Sequence, residues 1–279
     1  MQRANPSVTH ALSLALSLTL LAAVGCDAGV APSHSGTPPR PPSSAKPPAP
    51  SHGTVAETSK QLREGRAASL RFFETGDATR SLPMVIAIHG LGDRPQKFGQ
   101  LFGAYPMRVR WIFPEAPIPS GRGFSWFKYS GQTDQQVATG IRHAAEQIVE
   151  LAKALQRIRP TRGKPIVTGF SQGGMLSFAA AAIAPDVWHA SLPISGWLPE
   201  ALWPTPAQAR KLPPLFAVHG ENDTLVDFGR TQGFVRALKS RGAAIRFQSF
   251  PAVPHRVSNE MRNAVYQELS QQLQRLSTN

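Results

Sequence analysis

Short, nearly unbroken apolar runs alternate with longer stretches of helical periodicity over most of this chain. Met84-Val85-Ile86-Ala87-Ile88 and Arg110-Trp111-Ile112-Phe113-Pro114 are runs of the first kind, as are Pro165 to Gly169, Ser191 to Ile194, Leu215 to His219 and Ile245 to Phe250. Strands of such residues, lacking a polar alternate, belong in a parallel sheet buried on both faces. Ser69 to Glu74 alternates weakly and reads as an antiparallel edge strand. After Asp134, apolar residues at Val137, Ile141, Ala144, Ile148, Leu151, Leu155 and Ile158 recur every three or four positions, which predicts one long amphipathic helix. Gly173 to Ala184 reads as an Ala-rich helix stopped by Pro185, and Phe228 to Leu238 and Val257 to Leu276 as the last two helices. Strands alternating with helices of this length predict an α/β fold, a mainly parallel central sheet with helices on both faces.

The first 54 residues follow neither pattern. Met1-Gln2-Arg3, the uncharged run Ala11 to Val24 and the small residues before Cys26 describe an export signal over residues 1–25. The apolar run is shorter than the roughly 20 residues that a membrane-spanning helix needs. Leu21-Ala22-Ala23-Val24-Gly25-Cys26 resembles a bacterial lipobox, in which the cysteine is lipidated and becomes the mature N-terminus, although Ala23 stands where Leu is commonest. Ordinary cleavage after Ala23-x-Gly25, giving a soluble secreted or periplasmic protein, is the alternative. Residues 26–54 hold Pro38-Pro39-Arg40-Pro41-Pro42 and Lys46-Pro47-Pro48-Ala49-Pro50, with little to bury, and read as a Pro/Ser-rich tether rather than as a docking motif. Residues 55–279 are then one domain.

Composition sharpens this division. The chain is 41% hydrophobic and 17% charged, enough for a full core and too polar for a polytopic membrane protein. Its single cysteine, Cys26, excludes an intramolecular disulfide and any cysteine-based structural zinc site. The net charge is +13, and residues 55–279 keep 27 basic against 16 acidic residues, so the excess belongs to the domain. Arg157, Arg159, Arg162 and Lys164 form one local cluster. Adhesion to an anionic membrane surface or an ordinary solvated surface both fit this balance. Nucleic acid is not an expected partner, because no aromatic residues interleave with the basic ones.

The candidate chemistry sits at the ends of predicted strands. Gly169-Phe170-Ser171-Gln172-Gly173 is a G-x-S-x-G sequence where a strand turns into a helix. That geometry strains the serine backbone, lifts the hydroxyl clear of the sheet and aims a helix N-terminus at the reaction. In this arrangement the acid and the base follow in the order Ser, acid, His. Asp223 comes directly after the Leu215 to His219 strand, and His255 follows the last strand. Asp227 rivals Asp223 but suits a helix cap, and His219 suits support of the strand end. His255 would take the Ser171 proton while Asp223 holds the imidazole tautomer. His89-Gly90-Leu91-Gly92-Asp93 also follows a strand, and the backbone N–H groups of Leu91 and Gln172 would form an oxyanion hole. A plain turn with Asp93 as helix cap is the other reading of that segment.

These motifs resemble the phospholipase/carboxylesterase group of α/β-hydrolases, which includes the acyl-protein thioesterases. His89 to Asp93 looks like the family's HGLGD, and Gly169 to Gly174 like its GFSQGG. Pro114-Glu115-Ala116-Pro117 resembles its P-x-A-P segment, Ser195-Gly196-Trp197-Leu198-Pro199 its SG-aromatic-LP, and His219-Gly220-x-x-Asp223 its acid loop. The likeness runs from about residue 67 to 276. Two departures stand out: Lys128 follows Trp126-Phe127 where the family usually has an acidic residue, and Pro254 precedes the histidine where Gly is common. The resemblance implies an α/β-hydrolase fold and hydrolysis of carboxyl esters or thioesters, acyl lipids such as lysophospholipids included, with no cofactor and no metal. Trp126, Phe127 and Trp197 read either as the lining of an acyl pocket or as ordinary core. The expected function is thus an exported serine esterase. Polyester or plant-wall esters, or acyl transfer to another alcohol, are alternatives on the same triad. A non-catalytic surface-binding module on a hydrolase scaffold is the alternative of another class.

Overall fold

In the computed structural model, which describes residues 62–278, the apolar runs assemble side by side. The strands are β1 (Arg63–Ala67), β2 (Leu70–Glu74), β3 (Met84–Ile88), β4 (Arg110–Pro114), β5 (Ile118–Ser120), β6 (Gly123–Ser125), β7 (Ile166–Phe170), β8 (Ala190–Ile194), β9 (Leu215–Gly220) and β10 (Ile245–Phe250). Eight of them form one sheet in the order β1-β2-β4-β3-β7-β8-β9-β10, and β5 and β6 make a separate antiparallel pair. From β4 to β10 every neighbouring pair is parallel, and β1, β2 and β4 pair antiparallel. The expected export signal, Cys26 and nearly all that precedes the first strand lie outside the described residues.

The helices are α1 (Pro95–Gly99), α2 (Asp134–Ile158), α3 (Gln172–Ile183), α4 (Pro206–Ala209), α5 (Phe228–Ser240) and α6 (Asn259–Thr278). A capping box starts α2: the Thr133 hydroxyl accepts the Gln136 N–H while the Gln136 side chain accepts the Thr133 N–H. Its buried stripe runs through Val137, Ile141, Ala144, Ile148, Leu151 and Leu155, but Ile158, the last member of the predicted period, is 53% exposed where the helix outruns the sheet. Asp227 caps α5 by accepting the Arg230 N–H, as its position suggested. On one side of the sheet α2 and α3 pack with Phe234 and Leu238 of α5, and on the other α6 packs with the aromatic cluster of Phe98, Phe102, Trp111 and Phe113. Helix α3 is buried all round from Gln172 to Ala181, which small alanine side chains permit.

The edge was misjudged from sequence. Leu70–Glu74 is a strand, but β1 lies outside it and is the true edge. Its sequence, REGRA, carries three charges and a glycine, and only Ala67 is buried, so no apolar period announces it. An outermost strand gains its place through backbone hydrogen bonds, which side-chain patterning does not record.

Candidate active site

Ser171 sits between β7 and α3 with φ 59° and ψ −117°, a strained backbone for a residue with a Cβ. Its own N–H donates to Ile194 O of β8 at 3.0 Å, and its carbonyl accepts from Met175 N at 3.0 Å, so both neighbours fix the turn. The flanking glycines are sterically required. A Cβ on Gly173 would stand 2.0 Å from Ile88 O, and one on Gly169 would stand 2.5 Å from Gly173 O. The turn therefore closes only with hydrogen at both positions.

The loops after β9 and β10 bring two further side chains to this turn. His255 Nε2 lies 3.0 Å from Ser171 Oγ, and His255 Nδ1 lies 2.7 Å from Asp223 Oδ2. With a carboxylate on Nδ1, the proton belongs there and Nε2 is the acceptor for the serine O–H. The imidazole also stacks on Phe170, centroids 4.7 Å apart. The loop reaches this position with Pro254 in place, its carbonyl accepting the Arg256 N–H at 2.7 Å. Asp223 is buried, and burial alone would push its carboxyl up. Hydrogen bonds from His219, from His255 and from the Val226 N–H outweigh that and hold it well below the usual carboxylate range. A serine, an imidazole and an ionised carboxylate in this chain can move a proton off the hydroxyl.

A cavity of about 470 Å³ opens over Ser171, lined on its apolar side by Leu91, Tyr129, Phe170, Met175, Leu225 and Val226. Leu91 and Leu225 are 49% and 70% exposed, forming an apolar lip. Gln172, the first residue of α3, and Leu91 both border this space with Ser171. Leu91 N has no hydrogen-bond partner among the described residues, whereas the next two amides are used, Gly92 N by Phe124 O and Asp93 N by Gly90 O. Asp93 does not cap α1, which starts at Pro95 without a side-chain cap.

The three expected pocket residues lie elsewhere. Trp126, Phe127 and Trp197 are each 3% exposed and belong to the core beside α2 and α3, not to the cavity lining. Trp126 Nε1 donates to His89 O at 2.9 Å, and the Phe127 carbonyl accepts from Gln172 Nε2 at 2.9 Å. Gln172 Oε1 in turn accepts from Trp126 N and Ser125 Oγ. The aromatic segment thus braces the loops around the serine, and the cavity takes its apolar lining from other residues, Leu91, Tyr129, Phe170, Met175, Leu225 and Val226.

Sequence reasoning also passed over His89. It is fully buried, with Nδ1 2.7 Å from Gly90 O and Nε2 accepting from Ala116 N at 3.3 Å. Burial pushes its imidazole down, so it stays neutral and fixes the turn that carries Leu91. Its place at the head of the HGLGD segment was the available signal.

Comparison with known proteins agrees with this architecture. The family model described as Phospholipase/Carboxylesterase matches residues 76–273. A probable carboxylesterase of Oryza sativa subsp. japonica is 30% identical over 205 residues, covering 66% of this chain and 75% of the relative. Acyl-protein thioesterase 1 of Gibberella zeae is 26% identical, covering 76% of this chain and 98% of that protein. Among solved structures, acyl-protein thioesterase 2 of Zea mays superposes with a TM-score of 0.62 at 24% identity, over 73% of this chain and 99% of that one. The esterase PE8 gives 0.63 at 17% identity, over 76% and 99%. The fold is that of the α/β-hydrolases.

Proposed function

The chain belongs to the phospholipase/carboxylesterase family and is a carboxylic ester hydrolase; from that premise we propose that it works as a serine esterase, with Ser171 as nucleophile, His255 as general base and Asp223 as the group that orients the imidazole. The observation that carries this reading is the continuous chain from Ser171 Oγ to His255 Nε2 at 3.0 Å and from His255 Nδ1 to Asp223 at 2.7 Å. Ser171 Oγ attacks the acyl carbon as His255 Nε2 takes its proton. The resulting oxyanion accepts hydrogen bonds from the amides of Leu91 and Gln172, each such donor being worth about 10²–10³ in rate. Collapse expels the alcohol or thiol, which receives the proton from His255, and leaves Ser171 acylated. Water then gives up a proton to His255 and attacks the acyl carbon, and that proton passes to Ser171 Oγ as the acid leaves. The reaction calls for no cofactor and no metal.

Acyl esters and acyl thioesters are the substrates this reading assigns, lysophospholipids included, with the chain lying along Leu91, Met175, Leu225 and Val226. A fluorophosphonate probe tests the mechanism: the wild-type protein should label and Ser171→Ala should not. Labelling that survives the substitution overturns the serine mechanism. A panel of p-nitrophenyl esters, acyl thioesters and lysophospholipids then ranks the leaving groups.

The reading extends to location. The lipobox-like sequence ending in Cys26 supports export and lipid anchoring, and Cys26→Ser should then let a high-salt wash, which strips electrostatic contacts, release the protein from the membrane fraction while the wild type stays bound. An anionic membrane surface is the second partner. Its support is the placement of exposed Arg80, Arg108, Arg162, Lys164 and Lys211 in the loops leading into β3, β4, β7 and β9. That is the strand end opposite Ser171, so adhesion there turns the active-site mouth away from the bound surface. Full-length Cys26→Ser protein should bind phosphatidylglycerol vesicles and not phosphatidylcholine ones; equal binding to both overturns the electrostatic contact.

A further inference from the structure

Asp223 is served by two imidazoles, and the mechanism above uses only one. The second is His219, near the end of β9, fully buried. Its Nε2 lies 3.2 Å from Asp223 Oδ2 and 3.0 Å from Val226 O. Both neighbours are acceptors, so Nε2 carries the proton and is the donor. Nδ1 is buried with no partner among the described residues. An unpaired buried nitrogen is destabilising. An apolar ring of the same size would fill this volume without that cost, and Phe228 already packs edge-on against the ring at 5.8 Å. Filling space therefore does not explain a histidine here; an N–H placed between Val226 O and Asp223 Oδ2 does.

The acceptor sites of Asp223 give that bond its meaning. Oδ1 accepts from Leu225 N at 3.1 Å and Val226 N at 2.9 Å, and Oδ2 from His255 and His219. Three donors, and a His219 N–H shared between Val226 O and Oδ2, surround the carboxylate and restrict rotation of its plane. The loop itself is tied to the last strand's exit, Glu221 N donating to Phe250 O and Asn222 N to Val253 O.

We propose that His219 is a positioning residue for the esterase reaction: its Nε2–H shares the Asp223 oxygen that receives the His255 Nδ1–H, fixing the carboxylate plane and dividing its charge between two imidazoles. The proposal rests on the reading of Ser171, His255 and Asp223 as the triad. Removing the His219 donor leaves a freer and more basic carboxylate, which misaligns His255 and holds its protonated form more tightly. Other charged groups at this end are separately engaged. Asp93 pairs with Lys97 across the cavity, Glu221 accepts from Ser249 Oγ, Asp227 caps α5, and Arg256 is exposed beside His255.

The test compares His219→Phe, which removes the donor, with His219→Gln, whose side-chain N–H can replace Nε2–H, in the full-length protein on a p-nitrophenyl ester between pH 5 and 9. His219→Phe should lower kcat about tenfold to a hundredfold, the worth of one hydrogen bond to a charged group. KM should stay within about twofold, because binding contacts are untouched. The acid limb of kcat/KM should move to higher pH, and His219→Gln should recover most of kcat and the original limb. A loss shared equally by both variants with an unmoved limb, or a loss confined to KM, overturns the proposal. Should neither variant fold, ¹⁵N spectra of the wild-type imidazoles decide it: His219 must appear as the Nε2–H tautomer, and the Nδ1–H form rules the proposal out. Fluorophosphonate labelling of the wild type separates the two levels, since failure there removes the triad reading itself.

Discussion

The two ends of the central sheet spend polar residues in opposite ways. At the ends of β7, β8, β9 and β10, polar groups are buried under strain or left without partners: Ser171 and Ser195 have positive φ, and Ser195 Oγ and His219 Nδ1 have no partner among the described residues. At the far end, where β4 begins, charge acts as a clamp. Arg110 is completely buried, donates to the carbonyls of Asp77, Arg80 and Pro160, and stands 3.8 Å from the buried Glu74 carboxylate. Arg159 reaches the same carboxylate at 2.9 Å. Buried polarity alone thus does not mark a site. Nor does an unfilled hydrogen bond, since Arg110 Nε also lacks a hydrogen-bond partner among the described residues; what sets the Ser171 end apart is a strained turn that holds a hydroxyl within reach of an imidazole.

Substitutions that treat the two ends alike would break this contrast, and the largest effect belongs to the serine. Ser171→Ala should lower kcat about 10⁶-fold without lowering Tm, as loss of a nucleophile from a hydrolytic triad does. Asp223→Asn should cost about 10⁴ in kcat. It also carries a pH signature. A carboxyl held below its usual range contributes stability above about pH 4, and loses that contribution as pH falls. The stability difference between wild type and Asp223→Asn should therefore shrink on acidification in urea titrations, and a constant gap would contradict the hydrogen-bonded carboxylate.

Arg110→Ala inverts the test. Leaving Glu74 and the loop carbonyls without their buried partner should destabilise the protein by about 3 kcal/mol, measured by urea unfolding, while kcat per folded molecule stays within twofold. A matching fall in kcat would show that the two ends are coupled. Smallest is the surface change: reversing Arg80, Arg108, Arg162 and Lys164 to Glu together should leave soluble-ester kcat unchanged. Each substitution should shift stability by no more than about 0.5 kcal/mol, while phosphatidylglycerol binding is lost. Retained vesicle binding would remove the far end from the membrane contact.

Periodicity identified the parallel strands and long helices because each buries a contiguous apolar set. The edge strand β1 was invisible for the converse reason. G-x-S-x-G and the positions of Asp223 and His255 were legible because a nucleophile turn has steric requirements that only certain residues meet, and strand ends are where loops converge. The pocket was not legible. Trp126, Phe127 and Trp197 go to the core, while the cavity falls to Leu91, Phe170, Met175, Leu225 and Val226, which lie far apart in the chain.

By itself the sequence determined the fold class, the main parallel strands and long helices, and a set of side chains at strand ends able to act together, since these follow from local pattern and local sterics. Only the tertiary structure decided which carboxylate meets His255, what lines the cavity, and that a second histidine shares Asp223. Those facts depend on distances of about 3 Å between residues dozens of positions apart, and no local pattern encodes a separation that the packing of the whole sheet sets.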